Sequence, residues 1–235
     1  MATYVISDIH GEYDKFMQLL KNISFKQEDI LYVLGDILDR GPEPIKVILE
    51  MMKHSNIYGI AGNHEVMALT CLRFLMQEIT EESLEKLDDI SDSLEKLEIW
   101  SSNGNETTID AFRQLDREVQ KLVYEYISDF TIYEEISIGE QDYLLVHAGL
   151  DNFSPKRLLD DYELNELIWG RPDYERVYFS DVILVTGHTP TQLIKENPVP
   201  GAVYQKNNHL AIDCGACYGG RLAAVCLETG DCYYS

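Results

Sequence analysis

Six residues with oxygen or nitrogen donors stand just beyond short apolar runs: Asp8, His10, Asp36, Asn63, His147 and His188. Asp8 and His10 are two apart, so in an extended chain their side chains point the same way and can grip one cation. The two oxygens of Asp36 can bridge a pair of metals, and the amide oxygen of Asn63 is a neutral ligand. This set holds no thiolate, which suits Mn, Fe or Zn better than Cu(I) or an iron–sulfur centre. Taken singly the residues say little, because an Asp at a strand end is usually a cap or turn residue. Together they say more. His10, His64, His147 and His188 all fall in turns at the ends of apolar runs, whereas His54 and His209 do not. His54 sits near a predicted helix end, where partial positive charge is favourable, and needs no other role.

The elements that must position these donors follow from the apolar patterning. Thr3–Ile6, Leu31–Leu34, Ile57–Ile60, Tyr143–Val146 and Val182–Val185 are short and rich in Val, Ile, Leu and Tyr. Such runs predict buried strands, and polar residues past strand ends are where α/β folds place ligands. Helical spacing predicts helices over Glu12–Lys21, Pro44–Lys53 and Glu65–Glu78. The early alternation of strand and helix indicates an α/β fold, while 132–146 and 209–228 are richer in antiparallel strands. Thr80–Trp100 is acidic, with Leu84, Leu87, Leu94 and Leu97 near helical spacing and Ser-Leu-Glu-Lys-Leu at both 83–87 and 93–97. Two copies do not make a repeat architecture; the segment predicts an amphipathic helical insert near 80–100 with a solvated acidic face. With no linker elsewhere, residues 1–235 are expected to form a single domain.

A net charge of −22 argues against a nucleic-acid partner, since phosphate backbones need a basic surface. It does not exclude phosphate chemistry, because bound cations and a few arginines reverse the local field. The longest apolar runs fall well short of a membrane span, and the N-terminus shows no basic segment followed by a long apolar one. The five cysteines are irregularly placed. These features lead us to expect a cytoplasmic protein with reduced thiols. Cys214-x-x-Cys217 lacks the second pair that structural zinc requires and reads as a glycine-rich turn between strands.

Three sequence blocks bear a resemblance. Ser7-Asp8-Ile9-His10-Gly11, Gly35-Asp36-Ile37-Leu38-Asp39-Arg40-Gly41 and Gly62-Asn63-His64-Glu65 resemble, in order, the signature blocks of the PPP-type serine/threonine protein phosphatases. His147-Ala148-Gly149, Ile168-Trp169-Gly170-Arg171, Gly187-His188 and Ile212-Asp213-Cys214-Gly215-Ala216 resemble the later blocks, and the short length is similar to the compact bacterial and phage branch. The resemblance implies a calcineurin-like metallophosphoesterase fold, a central β-sandwich flanked by helices. It implies two divalent metal ions, Mn²⁺ first and Fe or Zn as alternatives. Asp8, His10 and Asp36 would hold one, and Asp36, Asn63, His147 and His188 the other. His64 would be the general acid oriented by Asp39, with Arg40, Arg171 and Asn63 on the phosphoryl oxygens. Such a pair of metals acidifies a water and stabilises in-line displacement. The expected activity is hydrolysis of phosphate monoesters, with phosphoserine and phosphothreonine in proteins as first substrate and small phosphoesters also accepted. The alternative is a dinucleoside tetraphosphate hydrolase. An inactive binding module ranks last, because the donor set is intact. Ser7 stands where the family usually has Gly, and Ala148 where its eukaryotic members usually have Gly, departures that touch the eukaryotic substrate range more than the cage.

Overall fold

A computed structural model of the chain describes residues 1–76 and 96–235. The first half alternates as expected: β1 (Thr3–Ile6), α1 (Tyr13–Asn22), β2 (Ile30–Leu34), α2 (Pro44–Met51), β3 (Ile57–Ile60) and α3 (Asn63–Met76). In α1 the buried side chains Phe16, Leu19 and Leu20 follow helical spacing and face one way. Pro44 sits in the first turn of α2, where its missing N–H leaves no helical bond unmade. Two further helices, α4 (Glu106–Arg113) and α5 (Arg117–Ser128), and a short one, α6 (Leu164–Ile168), were not foreshadowed by the sequence reading.

The remaining strands are β4 (Tyr133–Ile138), β5 (Gln141–Val146), β6 (Val182–Thr186), β7 (Tyr204–Lys206), β8 (His209–Ala211), β9 (Ala223–Cys226) and β10 (Cys232–Tyr234). Two five-stranded sheets result, ordered β10-β9-β1-β2-β3 and β4-β5-β6-β8-β7. β1, β2 and β3 are parallel, and so are β5, β6 and β8. The expected antiparallel pairing is found in β4–β5, β7–β8 and β9–β10, and β9 also runs antiparallel to β1.

Both faces of the central strands are covered, which explains their unbroken apolar runs. In β5, Tyr143 and Leu145 face Val5, Leu34 and Ile60 of the other sheet. Their neighbours Leu144 and Val146 point outward against Tyr162, Leu167 and Ile168; this is the two-residue alternation of a strand. The outer face of the first sheet is packed by Phe16, Leu19, Ile48, Leu72, Phe112 and Val123 from the helices. The architecture is therefore two sheets face to face with helices outside, as expected.

Most of the segment expected to form an acidic helical insert, 80–95, lies outside the described residues. Residues 96–101 are helical, and Trp100 in them is fully buried.

Candidate metal centre

Parallel strands present their C-terminal ends on one edge, and the donors collect there. Asp8 and His10 follow β1, Asp36 follows β2, Asn63 and His64 open α3 after β3, His147 follows β5 and His188 follows β6. The loops are tightly wound: Asp8, His10, Asp36, Asp39, Arg40 and His188 all have positive φ, between 45° and 71°. Non-glycine residues avoid that region, so the surroundings must impose it. The Asp8 N–H donates to Gly35 O at 3.0 Å and the His10 N–H to Asp36 O at 2.8 Å. Glu65, fully buried, accepts the N–H groups of Asp36 (2.7 Å), Ile37 (2.9 Å) and Gly62 (3.0 Å), clamping the loops after β2 and β3. Gly62 must be glycine for space: a Cβ there would collide with Asp36 Oδ1.

Asp36 is the hub. His10 Nε2 lies 3.5 Å from Asp36 Oδ2, and His147 Nε2 lies 3.3 Å from Oδ1. Two groups of donors, each within 4.8 Å, share this carboxylate: His10, Asp36 and His64, and Asp36, His147 and His188. Asn63 Oδ1 is 3.1 Å and His188 Nδ1 3.2 Å from His147 Nε2, so both join the second group. Asp8, expected beside His10, instead accepts the backbone N–H of His188 through Oδ2 at 2.9 Å.

The residues present fit a pair of divalent cations. Nδ1 of His10 donates to Leu38 O at 2.8 Å, and Nδ1 of His147 to Leu34 O at 2.7 Å. A carbonyl can only accept, so Nε2 in each ring faces the cluster, and a backbone partner of this kind is typical of a ligating histidine. Burial and neighbouring positive groups lower His10 and His188 to about 3, keeping them neutral as ligation needs. Burial, followed by the Asp213 charge, holds Asp8 well above the usual carboxylate range. Burial likewise pushes Asp213 to about 6. Burial opposes a proton on His147, but the Asp36 and Asp8 carboxylates overcome it and raise that ring to about 10. A buried crowd of carboxylates is a site that a cation stabilises.

His64 is wired differently. Its Nδ1 meets Asp39 Oδ2 at 2.5 Å, and its buried Nε2 has no hydrogen-bond partner among the described residues and lies 3.9 Å from Asp36 Oδ2. Asp39 is held from both sides: Trp100 Nε1 donates to Oδ2 and Thr108 Oγ1 to Oδ1, both at 2.6 Å, while its own N–H donates to Thr108 Oγ1 at 2.9 Å. Arg40 is exposed, and its Nη1 donates to His10 Nε2 at 2.6 Å. Arg171, also exposed, donates to Thr189 Oγ1 at 3.2 Å, one residue past His188. Of the residues nominated from sequence, His10, Asp36, Asn63, His64, His147 and His188 lie together, Asp39 and Arg40 touch this group through His64 and His10, Asp8 meets it through the His188 backbone, and Arg171 reaches Thr189 beside it. The sequence reading missed the roles of Glu65, Trp100, Thr108 and Asp213. Asp213 could have been found: it follows an apolar run as Asp8 and Asp36 do. Cys217 lies in the Gly215–Gly219 turn between β8 and β9, and Cys214 stands just before it.

Comparisons with known proteins agree on the frame. The family model described as calcineurin-like phosphoesterase matches residues 1–220. The asymmetrical bis(5'-nucleosyl)-tetraphosphatase of Halalkalibacterium halodurans is 26% identical, over 94% of this chain and 88% of its own. The symmetrical bis(5'-nucleosyl)-tetraphosphatase of Methylobacillus flagellatus is 24% identical, over 97% and 92%. A crystal structure provisionally described as a diadenosine tetraphosphatase superposes with a TM-score of 0.67 at 20% identity, over 99% of this chain and 92% of that one. These relatives overturn the expectation of phosphoserine and phosphothreonine proteins as substrate and partner. The physical reason is that the donor blocks grip only a phosphoryl group. What hangs on that group is selected by residues outside those blocks.

Proposed function

The chain belongs to the calcineurin-like phosphoesterase family, and from that premise we propose that it hydrolyses dinucleoside tetraphosphates. The observation that supports this reading is the alignment, over nearly the full length of both chains, with two bis(5'-nucleosyl)-tetraphosphatases. Family members use a binuclear divalent metal centre. In this chain Asp36, His10 and Asp8 would hold one ion and Asp36, Asn63, His147 and His188 the other, with Mn²⁺ first and Fe or Zn as alternatives. Such a centre supplies Lewis acidity and an acidified water.

The chain's own residues do the rest. Arg40 and Arg171 offer planar donors to phosphoryl oxygens. His64 presents Nε2 to the reacting region, and Asp39 fixes its ring through Nδ1. On a tetraphosphate the departing oxygen belongs to a nucleotide phosphate. That group leaves more readily than an alkoxide, so the proton from His64 contributes less there than on an alkyl phosphate.

The test is incubation of the Mn²⁺-loaded protein with diadenosine tetraphosphate and chromatography of the products. Cleavage to AMP plus ATP, or to two ADP, supports the reading and says whether the cut is asymmetrical or symmetrical. A protein that turns over p-nitrophenyl phosphate yet leaves diadenosine tetraphosphate intact contradicts it.

A further inference from the structure

We infer that Trp169 and Tyr218 are stacking platforms for the two nucleobases of the substrate, one on each side of the metal centre; this rests on the tetraphosphate reading above. Both rings are large, apolar and exposed, Trp169 by 39% and Tyr218 by 65%. Neither is explained by packing, and each is tied to a different end of the donor cluster. The Trp169 ring lies edge-on to His188, with centroids 6.0 Å apart and planes at 87°. The Tyr218 ring lies under the Arg40 guanidinium, 5.5 Å from its centroid. From Trp169 the contacts run through His188, His147, Asp36, His10 and Arg40 to Tyr218. The donors thus lie on the path of contacts that joins the two rings.

Both platforms are held in place before any ligand arrives. Tyr218 ends a tight turn between Gly215 and Gly219, which both have positive φ. Lys15 Nζ ties that turn down, donating to Ala216 O at 2.5 Å and Gly220 O at 3.2 Å. Trp169 follows α6, whose Leu167 carbonyl accepts the Ala148 N–H at 3.0 Å, next to His147. Pre-organised rings lose little entropy on binding.

The chemistry of the ligand makes such rings useful. A dinucleoside tetraphosphate is a polyanion with a flat base at each end, and this chain carries a net charge of −22. The long-range field opposes the phosphates, and Arg40 and Arg171 act only locally. Stacking of a base on an aromatic face is indifferent to that field and tolerant of base identity.

The experiment measures two constants in the Mn²⁺-loaded full chain: KM, or the inhibition constant against p-nitrophenyl phosphate, for diadenosine tetraphosphate, and the inhibition constant for ribose 5-phosphate, which has no base. Trp169→Ala and Tyr218→Ala should each weaken diadenosine tetraphosphate by about 5- to 100-fold. The double change should approach the product of the two, and Trp169→Phe and Tyr218→Phe should restore most of the loss. The ribose 5-phosphate constant should move by no more than about twofold, since it lacks the stacked group. Equal weakening of both ligands, or wild-type affinity for diadenosine tetraphosphate in both Ala variants, overturns the inference. Because inhibition is read without turnover of the dinucleotide, base-dependent binding to a protein that fails to cleave it would sustain the platforms while sinking the proposed activity.

Discussion

His64 and His147 stand on opposite sides of Asp36, equally buried, yet the protein prepares them for different work. Nδ1 of His147 is held by a backbone carbonyl, Leu34 O, and its Nε2 faces Asp36, Asn63 and His188. Nδ1 of His64 is held by a carboxylate, Asp39, and its Nε2 has no hydrogen-bond partner among the described residues. A carbonyl fixes the proton on Nδ1 and leaves the Nε2 lone pair facing the cluster, as a ligand needs; the Asp36 and Asp8 carboxylates that overcome burial and raise this ring to about 10 favour a positive charge there, which a bound cation would supply in place of the proton. The carboxylate of Asp39 fixes the His64 ring with Nε2 turned to the reacting region, the orientation a proton donor needs. What separates a ligand from an acid here is the partner of the remote nitrogen, more than depth or position.

The largest effect that could break this comparison should come from the residue between the two rings. Asp36→Asn removes the shared carboxylate, so metal analysis should find both ions lost and hydrolysis of every phosphoester near background; two tightly held ions would refute the shared-ligand scheme. Next comes His64→Asn, which should slow hydrolysis of an alkyl phosphate by roughly 10²- to 10⁴-fold, the usual share of a general acid. The loss should be smaller on diadenosine tetraphosphate and on an aryl phosphate, whose leaving groups need the proton less. Comparing kcat across the three substrates checks this, and equal losses would mean that His64 does not protonate the leaving group.

Smaller again are the residues behind Asp39. Thr108→Val and Trp100→Phe each remove a hydrogen bond to a carboxylate, so each should lower kcat for an alkyl phosphate by about tenfold. KM should change little, Thr108→Ser should recover the rate, and the deficit should again shrink on the aryl substrate. Indifference of kcat to both changes would detach Asp39 from its supports.

His209 gives a third kind of histidine and the mildest test. It is buried in β8, bonded through Nε2 to Thr186 Oγ1 at 2.8 Å and stacked on Tyr174, with Nδ1 unpartnered. Burial lowers it to about 4. The unfolded chain therefore binds the extra proton first, between about pH 6.5 and 4. Stability should fall as pH drops through that window, by on the order of 3 kcal/mol in total. Chemical denaturation of wild type and His209→Gln should show a shallower pH dependence in the variant. Identical slopes would mean that His209 is not the group responsible.

The sequence and the structure part company in an informative way. The gathering of His10, Asp36, Asn63, His64, His147 and His188 was legible because each lies within a few residues of the end of an apolar run, and parallel strands deliver such ends to one edge; Asp39 and Arg40 entered only through the family resemblance. Trp100 and Thr108 were not legible, because they connect to the site through Asp39, 61 and 69 residues away in the chain. α4 and α5 carry buried Phe112, Val123 and Ile127 at helical spacing, a pattern present in the sequence but attached to no chemical motif. The substrate was misread for a related reason. The blocks that grip a phosphoryl group are compatible with monoesters and anhydrides alike, and the exposed rings of Trp169 and Tyr218 say nothing until the fold places them beside the donors.

The division of labour between the two rings is tested most directly by metal content. His147→Asn and His64→Asn, purified side by side and saturated with Mn²⁺, should differ: the first should lose bound metal, and the second should keep the full binuclear complement while losing alkyl phosphatase activity. Loss of metal from His64→Asn, or a full complement in His147→Asn, would contradict the account and require the ligand set to be redrawn.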